Sequence, residues 1–156
     1  MKIELLCVGK TAIPYLETGI SEYAQRVNHF CNFSVQIIPD VKQFKSKEEL
    51  ILKEELAIRK YLKDQQHILI LLDENGKNMS SRKFASMMEK FNLEGHKKLV
   101  FVIGGAYGIS QNLKNEAAHL ISLSAMTFSH QLVRLIFMEQ IYRAWSIIHH
   151  LPYHHD

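Results

Sequence analysis

The sequence LVFVIGGAYG, residues 99–108, is a run of five apolar residues that leads directly into a glycine-rich loop. A continuous apolar run of this length predicts a strand that is buried on both faces, as in a parallel sheet. Comparable runs lie at residues 3–8 and 67–72, and shorter strand-like segments lie at 33–37 and 119–123. Helices are predicted between and after them, at about 14–28, 46–62, 80–95, just after 110 and at 131–149. This alternation predicts an α/β fold, an open and mostly parallel sheet with helices on both faces.

The length and composition are those of one globular domain spanning residues 1–156. The chain is 47% hydrophobic and 22% charged, and one domain usually takes about 100–200 residues. No apolar run approaches the roughly 18 residues that a membrane span needs, and the run at 3–8 is too short for a signal peptide. Cys7 and Cys31 form no CxxC pair and stand among apolar residues, which indicates reduced, mostly buried thiols. We therefore expect a cytoplasmic protein without a membrane anchor.

The charge is weakly basic and unevenly distributed. The formal net charge is +3, and residues 100–156 are neutral, with three basic and three acidic side chains. Tight, sequence-blind binding to free RNA depends on neutralising phosphates, so the composition argues against that mode of binding. It does not exclude an RNA that is presented on a larger, shaped surface.

The last predicted helix, at residues 131–149, is apolar around most of its circumference. Such a helix must be buried on more than one side, and one sheet face is not expected to cover it. We therefore predict a two-fold homodimer built on this helix. Its remaining polar stripe consists of Glu139, Arg143, Ser146 and His150. This stripe lines a cavity or forms a salt bridge at an interface.

Two segments follow predicted strands, at the edge of the sheet where ligand loops lie. Residues 104–108 are GGAYG, which is neither the dinucleotide fingerprint nor a P-loop. The glycines serve a tight turn with positive φ, or they let the backbone approach a flat ligand. Residues 123–129 are small, with three hydroxyls. They suit either a pocket floor or a plain connection to the last helix, with Ser129 as its cap.

The C-terminal tail is rich in histidine. Five of the nine histidines lie in the last 27 residues, but no HxxxH pair lies on a predicted helix, because Pro152 separates the two pairs of histidines, and no Cys or acidic ligand stands at metal spacing. We therefore expect no metal. The tail is either polar and exposed, or it folds Tyr153 and His154 over an active site.

Several of these segments occur in an order that resembles a known family. They are Leu71-Leu72-Asp73, the loop 103–108, the segment 123–130, Arg134, and the ending Tyr142-Arg143-Ala144-Trp145 with Pro152-Tyr153-His154. The opening KIELLCVGK and the length fit as well. The chain resembles, from end to end, the large-subunit ribosomal RNA methyltransferase H family of the SPOUT superfamily.

The resemblance implies an activity, a cofactor and a fold. The expected reaction is methyl transfer from S-adenosyl-L-methionine to N3 of a pseudouridine in helix 69 of large-subunit (23S) ribosomal RNA, on the assembled ribosome. The expected fold is a parallel α/β sheet with a deep C-terminal trefoil knot, in a homodimer. By position, the cofactor contacts would be Leu72, Gly104, Leu123, Ser124, Ala125, Met126, Thr127 and Phe128.

Four further residues are candidates for the chemistry. N3 of the base carries a proton, so its attack on a methyl group requires a base, and His130 and His154 have a suitable pKa range. His130 could instead only cap the helix or bind a carbonyl. Arg143 would stabilise negative charge on the base or hold a phosphate, and Tyr153 would stack on the flipped-out base. The rival hypotheses are a knotted methyltransferase that acts on transfer RNA or on a ribose hydroxyl, and a ribosome-binding module without activity.

Overall fold

The fold is a five-stranded parallel sheet covered by helices. The computed structural model describes residues 1–154. The strands are β1 (Lys2–Val8), β2 (Asn32–Ile38), β3 (Ile68–Asn78), β4 (Lys98–Ile103) and β5 (His119–Ser122). The helices are α1 (Pro14–Val27), α2 (Lys47–Leu62), α3 (Ser81–Leu93), α4 (Gln111–Glu116) and α5 (Leu132–Ile148). All strand pairs are parallel, in the order β2-β1-β4-β3-β5, which confirms the predicted α/β class.

The helices alternate between the two faces of the sheet. On one face, Leu5 and Phe101 belong to the larger core with α1, α3 and α5, and on the other face Leu6 and Val102 belong to a smaller core with α2 and α4. Neighbouring residues of a strand point to opposite faces, so the continuous apolar runs supply both cores. The helix starts predicted at about 46, at about 80 and just after 110 are confirmed, since the caps Ser46, Ser80 and Ser110 each accept a hydrogen bond from a backbone N–H of the first turn.

Strand β3 continues further than the sequence predicted. The apolar run that predicts this strand ends at residue 72, yet the strand runs to Asn78, with a register shift against β5 between Leu72 and Lys77. A Cβ at Gly76 would lie 2.5 Å from the backbone carbon of Ile121. Only a glycine lets the two strands approach this closely, and the irregularity directs the polar residues 73–75 toward the end of the sheet.

Helix α5 lies between α1 and α3 on the sheet. Phe137, Met138, Ile141 and Ala144 are fully buried within one chain. Two flanking helices therefore bury this side of α5 together with the sheet, whereas Leu132 is 38% exposed and Leu135 and Ile136 are only partly buried. The homodimer and the trefoil knot stay predictions. Within residues 1–154, no helix is long and apolar enough to span a membrane.

Arg134 connects α5 to the end of β1. Its side chain is 1% exposed and donates hydrogen bonds to the carbonyl oxygens of Val8 (2.6 Å) and Gly9 (2.8 Å). Gly9 has φ +76°, and the carboxylate of Asp40 occupies the position where a Cβ would stand. The arginine thus satisfies carbonyls that no strand pairs at this end of the sheet.

Candidate active site

A cleft of about 380 Å³ opens at the carboxyl ends of β3, β4 and β5. Its floor is apolar and includes Leu72, Ile103 and Val133, and its walls are the loop 104–108 and the segment after β5. Pockets of about 300–1,000 Å³ with an apolar lining and a few polar groups are typical of small-molecule sites. The carboxyl end of a parallel sheet is also where such ligands bind.

The cleft brings together most of the residues that the resemblance marked for the cofactor. Seven of the eight line it, namely Leu72, Gly104, Leu123, Ser124, Met126, Thr127 and Phe128. Ala125 is exposed and does not line it. Two serines shape this segment: the Ser122 hydroxyl donates to the Ser124 carbonyl (2.8 Å), and the Ser124 hydroxyl accepts from the Met126 N–H (2.9 Å). Ser129 accepts from the Leu132 N–H (3.2 Å) in the turn before α5, but the N-cap of α5 is Gln131, whose side chain forms no capping hydrogen bond.

The glycines of residues 104–108 form the tight turn with positive φ that the sequence predicted, whereas the approach of a flat ligand stays a prediction. Gly108 has φ +81°, and its N–H donates to the Gly105 carbonyl (3.1 Å) in a tight turn. Gly104 is buried, and a Cβ there would lie 2.9 Å from the carbonyl oxygen of Gly108. The backbone of this loop is therefore closely packed where it lines the cleft.

Sequence reasoning missed Glu54, a buried carboxylate beneath this loop. It is 7% exposed, and a Cβ at Gly105 would lie 2.5 Å from its Oε1. Burial raises the pKa of Glu54, the Gly105 N–H opposes the shift, and the charge of Asp40 adds to it. One sequence signal could have found it, because Glu54 stands midway between Leu50 and Ile58 on the buried stripe of α2.

Two further groups at the cleft carry charge or can take a proton. Lys114 forms a salt bridge with Asp73 (2.7 Å), and both residues line the cleft. His130 also lines it, and burial and the charge of Arg134 lower its pKa, although Asp40 opposes this. A lowered pKa keeps the imidazole neutral near pH 7, the form that can accept a proton.

The tail residues form a separate cluster on α5. Tyr153 donates from its hydroxyl to Glu139 (3.1 Å), and its ring lies under the Arg143 guanidinium, 4.9 Å from the ring centroid. Arg143 Nη1 lies 3.2 Å from His154 Nδ1. None of Arg143, Tyr153 and His154 lines the cleft. The expectation that the tail folds over the site is therefore not met within one chain.

The polar stripe of α5 likewise does not line this cleft. Glu139 and Arg143 form a salt bridge along the helix, and that pair holds Tyr153. Ser146 is fully buried and donates to the Tyr142 carbonyl (2.9 Å), whereas His150 is exposed after the helix ends. Among residues 1–154, no three His, Cys, Asp or Glu side chains are grouped so that they could hold a metal ion.

Comparisons with solved structures show the fold. A probable methyltransferase from Bordetella pertussis Tohama I superposes with a TM-score of 0.55 over 92% of this chain and 93% of its own, at 9% identity. A probable methylase family protein from Haemophilus influenzae Rd KW20 gives a TM-score of 0.53 over 99% of this chain and 70% of its own, at 9% identity. At these identities the likeness concerns the fold alone.

Comparisons of sequence show the family. A model of the family described as "Predicted SPOUT methyltransferase" matches residues 1–154. Proteins named ribosomal RNA large subunit methyltransferase H, from Parabacteroides distasonis and from Flavobacterium johnsoniae, are each 46% identical over 100% of both chains. The family resemblance drawn from the sequence is thereby confirmed. The chain belongs to the SPOUT methyltransferase family and is a methyltransferase of the group that these relatives represent.

Proposed function

We propose that this protein methylates N3 of a pseudouridine in helix 69 of the large-subunit ribosomal RNA, on the assembled ribosome in the cytoplasm. The observation that carries the proposal is the cleft at the carboxyl ends of β3, β4 and β5, which gathers seven of the eight expected cofactor residues. The full-length relatives named for ribosomal RNA methylation support the substrate class. The choice of base and atom rests on the family resemblance.

The cleft fits S-adenosyl-L-methionine in size and chemistry. Its volume of about 380 Å³ lies in the range of small-ligand pockets. Leu72 would cover one side of the ligand, Gly104 would offer its backbone, and residues 123–128 would close the other side. Bound there, S-adenosyl-L-methionine supplies an electrophilic methyl group.

His130 is the base that the geometry of one chain favours. It lines the cleft, and its lowered pKa keeps it neutral at pH 7. A ring nitrogen of His130 would take the proton from N3 as the nitrogen attacks. A positioned base of this kind contributes about 10²–10⁴-fold to the rate.

The remaining candidates would act across a homodimer. Within one chain, Arg143, Tyr153 and His154 lie outside the cleft, so we propose that the tail of a second copy completes each site. Met126 at the cleft and Leu151 in the tail are 76% and 40% exposed, and contact between copies would bury such apolar surface. In that arrangement Arg143 would face the base carbonyl, and Tyr153 would stack on the base.

The activity is tested on ribosomes from cells that lack the gene. We expect the purified protein to add one methyl group to a helix 69 pseudouridine, mapped by mass spectrometry of ribonuclease fragments. We expect His130→Ala to lower kcat by about 10²–10⁴-fold. The control His96→Ala changes a partly buried histidine that pairs with Glu94 and does not line the cleft, and it should leave kcat unchanged. Methylation of transfer RNA or of a ribose hydroxyl, instead of the helix 69 pseudouridine, would refute the proposed substrate. A calorimetric titration that detects no binding of S-adenosyl-L-methionine would refute the proposed cofactor.

The composite site is tested by mixing two inactive variants. The His130→Ala variant lacks the proposed base in the cleft, and the Arg143→Ala variant lacks the arginine that the tail cluster would contribute. After subunit exchange, half of the dimers are hybrids, and each hybrid has one site with both parts intact. We therefore expect activity to return to about a quarter of the wild-type value. No recovery, or a monomer in sedimentation at micromolar concentration, would refute the shared site. Full methylation by His154→Ala would exclude His154 as the base.

A further inference from the structure

We propose that residues 42–47, between β2 and α2, form an RNA-binding rim that holds the ribosomal RNA strand beside the methylated nucleotide. This inference rests on the proposed function, because it names how the same site grips its substrate. The rim consists of Lys42, Phe44, Lys45 and Lys47, together with Tyr107 of the cleft loop.

The rim adjoins the cleft directly. Lys47 and Tyr107 both line the cleft, and Lys47 Nζ lies 5.6 Å from the centroid of the Tyr107 ring. Lys42, Phe44 and Lys45 precede Lys47 in the chain and are exposed. An RNA strand whose target base enters the cleft would therefore pass over these side chains.

The lysines of the rim are available for phosphates. Within residues 1–154, no carboxylate forms a salt bridge with Lys42, Lys45 or Lys47, whereas Lys53 and Lys114 each have an acidic partner. Residues 40–47 contain these three lysines and one aspartate, a net charge of +2 in eight residues. In contrast, residues 100–156 are neutral. Glu48 and Glu49 follow directly in α2, so the three lysines themselves, and not an excess charge of the whole segment, are what the rim offers to phosphates.

The rim also offers aromatic faces. Phe44 is 45% exposed and Tyr107 is 51% exposed. Lysines combined with exposed aromatic rings are typical of surfaces that bind unpaired nucleotides, because the rings stack on bases while the cations neutralise phosphates. A buried protein interface, in contrast, is usually depleted in lysine. The chemistry therefore favours RNA over a ribosomal protein as the partner of the rim.

The backbone of residues 42–46 is anchored although these residues form no helix or strand. The Lys45 N–H donates to Glu49 (2.6 Å), and Lys53 Nζ donates to the Gln43 carbonyl (2.8 Å). Both anchors lie on the first turns of α2. A segment held in this way loses less conformational entropy when it binds, and it presents its side chains at fixed positions.

Removal of two lysines tests the rim. In the full-length protein carrying both Lys42→Ala and Lys45→Ala, we expect the KM for ribosomes to rise about 10- to 30-fold at 0.1 M salt. The slope of log KM against log salt should flatten by about 1.4–1.8 for two lost phosphate contacts. We expect kcat at saturation and the Kd of S-adenosyl-L-methionine to stay unchanged. The control with Lys60→Ala and Lys63→Ala removes the same charge from the far end of α2, and its KM should change less than twofold.

A photo-crosslink identifies the partner. With p-benzoylphenylalanine in place of Phe44, we expect a crosslink to ribosomal RNA near the methylated nucleotide. A crosslink to a ribosomal protein alone would overturn the inference, as would wild-type KM and salt dependence in the double variant. These results differ from failure of the proposed function, in which the wild-type protein would not methylate ribosomes at all.

Discussion

The packing of Gly104 predicts that one added methyl group will weaken binding of the cofactor. In Gly104→Ala, the new Cβ would lie 2.7 Å from Ile109 Cγ1, 2.9 Å from the Gly108 carbonyl oxygen and 3.0 Å from its carbon. The Ile109 side chain can turn away, but the Gly108 atoms belong to the backbone. The loop must therefore open at the turn that the Gly108 N–H closes onto the Gly105 carbonyl.

The size of the effect follows from this geometry. Overpacking at a well-packed position costs about 1–3 kcal/mol, and a lost backbone hydrogen bond accounts for about 0.5–1.5 kcal/mol of it. Binding of S-adenosyl-L-methionine to the closed loop must then supply this free energy, and the binding free energy becomes weaker by the same amount. We therefore expect an increase in Kd of about 5- to 150-fold.

Isothermal titration calorimetry with S-adenosyl-L-methionine measures this change, and circular dichroism checks that the variant is folded. The matched control is Gly95→Ala, a glycine with φ +75° and no atom within 4 Å of its Cβ position. The control should lose about 1–2 kcal/mol of stability from backbone strain and keep the wild-type Kd. A folded Gly104→Ala protein with wild-type Kd and wild-type stability would refute the argument.

Two further predictions concern buried charged groups. Arg134→Ala should lower the free energy of unfolding by about 3–6 kcal/mol, because the carbonyls of Val8 and Gly9 lose charge-assisted hydrogen bonds. Urea denaturation at fixed protein concentration measures this, with the exposed Lys60→Ala as the control, and a loss below about 1 kcal/mol would contradict it. Glu54→Gln should stabilise the protein at pH 7.5 relative to the wild type but not at pH 4. The folded pKa of Glu54 is raised, so wild-type stability falls as pH rises from the unfolded pKa through the folded one. A Glu54→Gln protein that is less stable than the wild type at pH 7.5 would show that the bond from Gly105 outweighs the cost of burial.

The order of strands and helices could be predicted because each element carries a local signal. Continuous apolar runs mark the central strands, and Ser46, Ser80 and Ser110 mark helix starts. Helix caps depend only on backbone groups a few residues away, and buried strands show as runs of apolar residues, so both can be read from the sequence pattern. The extension of β3 past residue 72 could not be predicted in this way. The need for a glycine at position 76 comes from the close contact with Ile121, which is 45 positions away in the chain.

The candidate site was predictable where it follows the strands. Residues 104–108 and 123–128 come directly after β4 and β5, so parallel strands bring them to one edge. Glu54 was missed because a glutamate on a helix is usually solvated, and its burial depends on how α2 docks against the loop. The position of the tail could not be derived either, since it depends on the ion pair of Glu139 with Arg143 and on the ring of Tyr153.

The position of α5 on the sheet affects how the protein folds during its synthesis. Helix α5 is the last element of the chain, yet it fills the centre of the larger core between α1 and α3. Arg134 joins it to residues about 125 positions earlier in sequence. Until this helix has left the ribosome that synthesises it, the part of this sheet face between α1 and α3 lacks its cover, and an open apolar surface of this kind is prone to aggregation. The native core therefore forms only after α5 has emerged from the ribosome, and truncations that remove α5 should give insoluble protein.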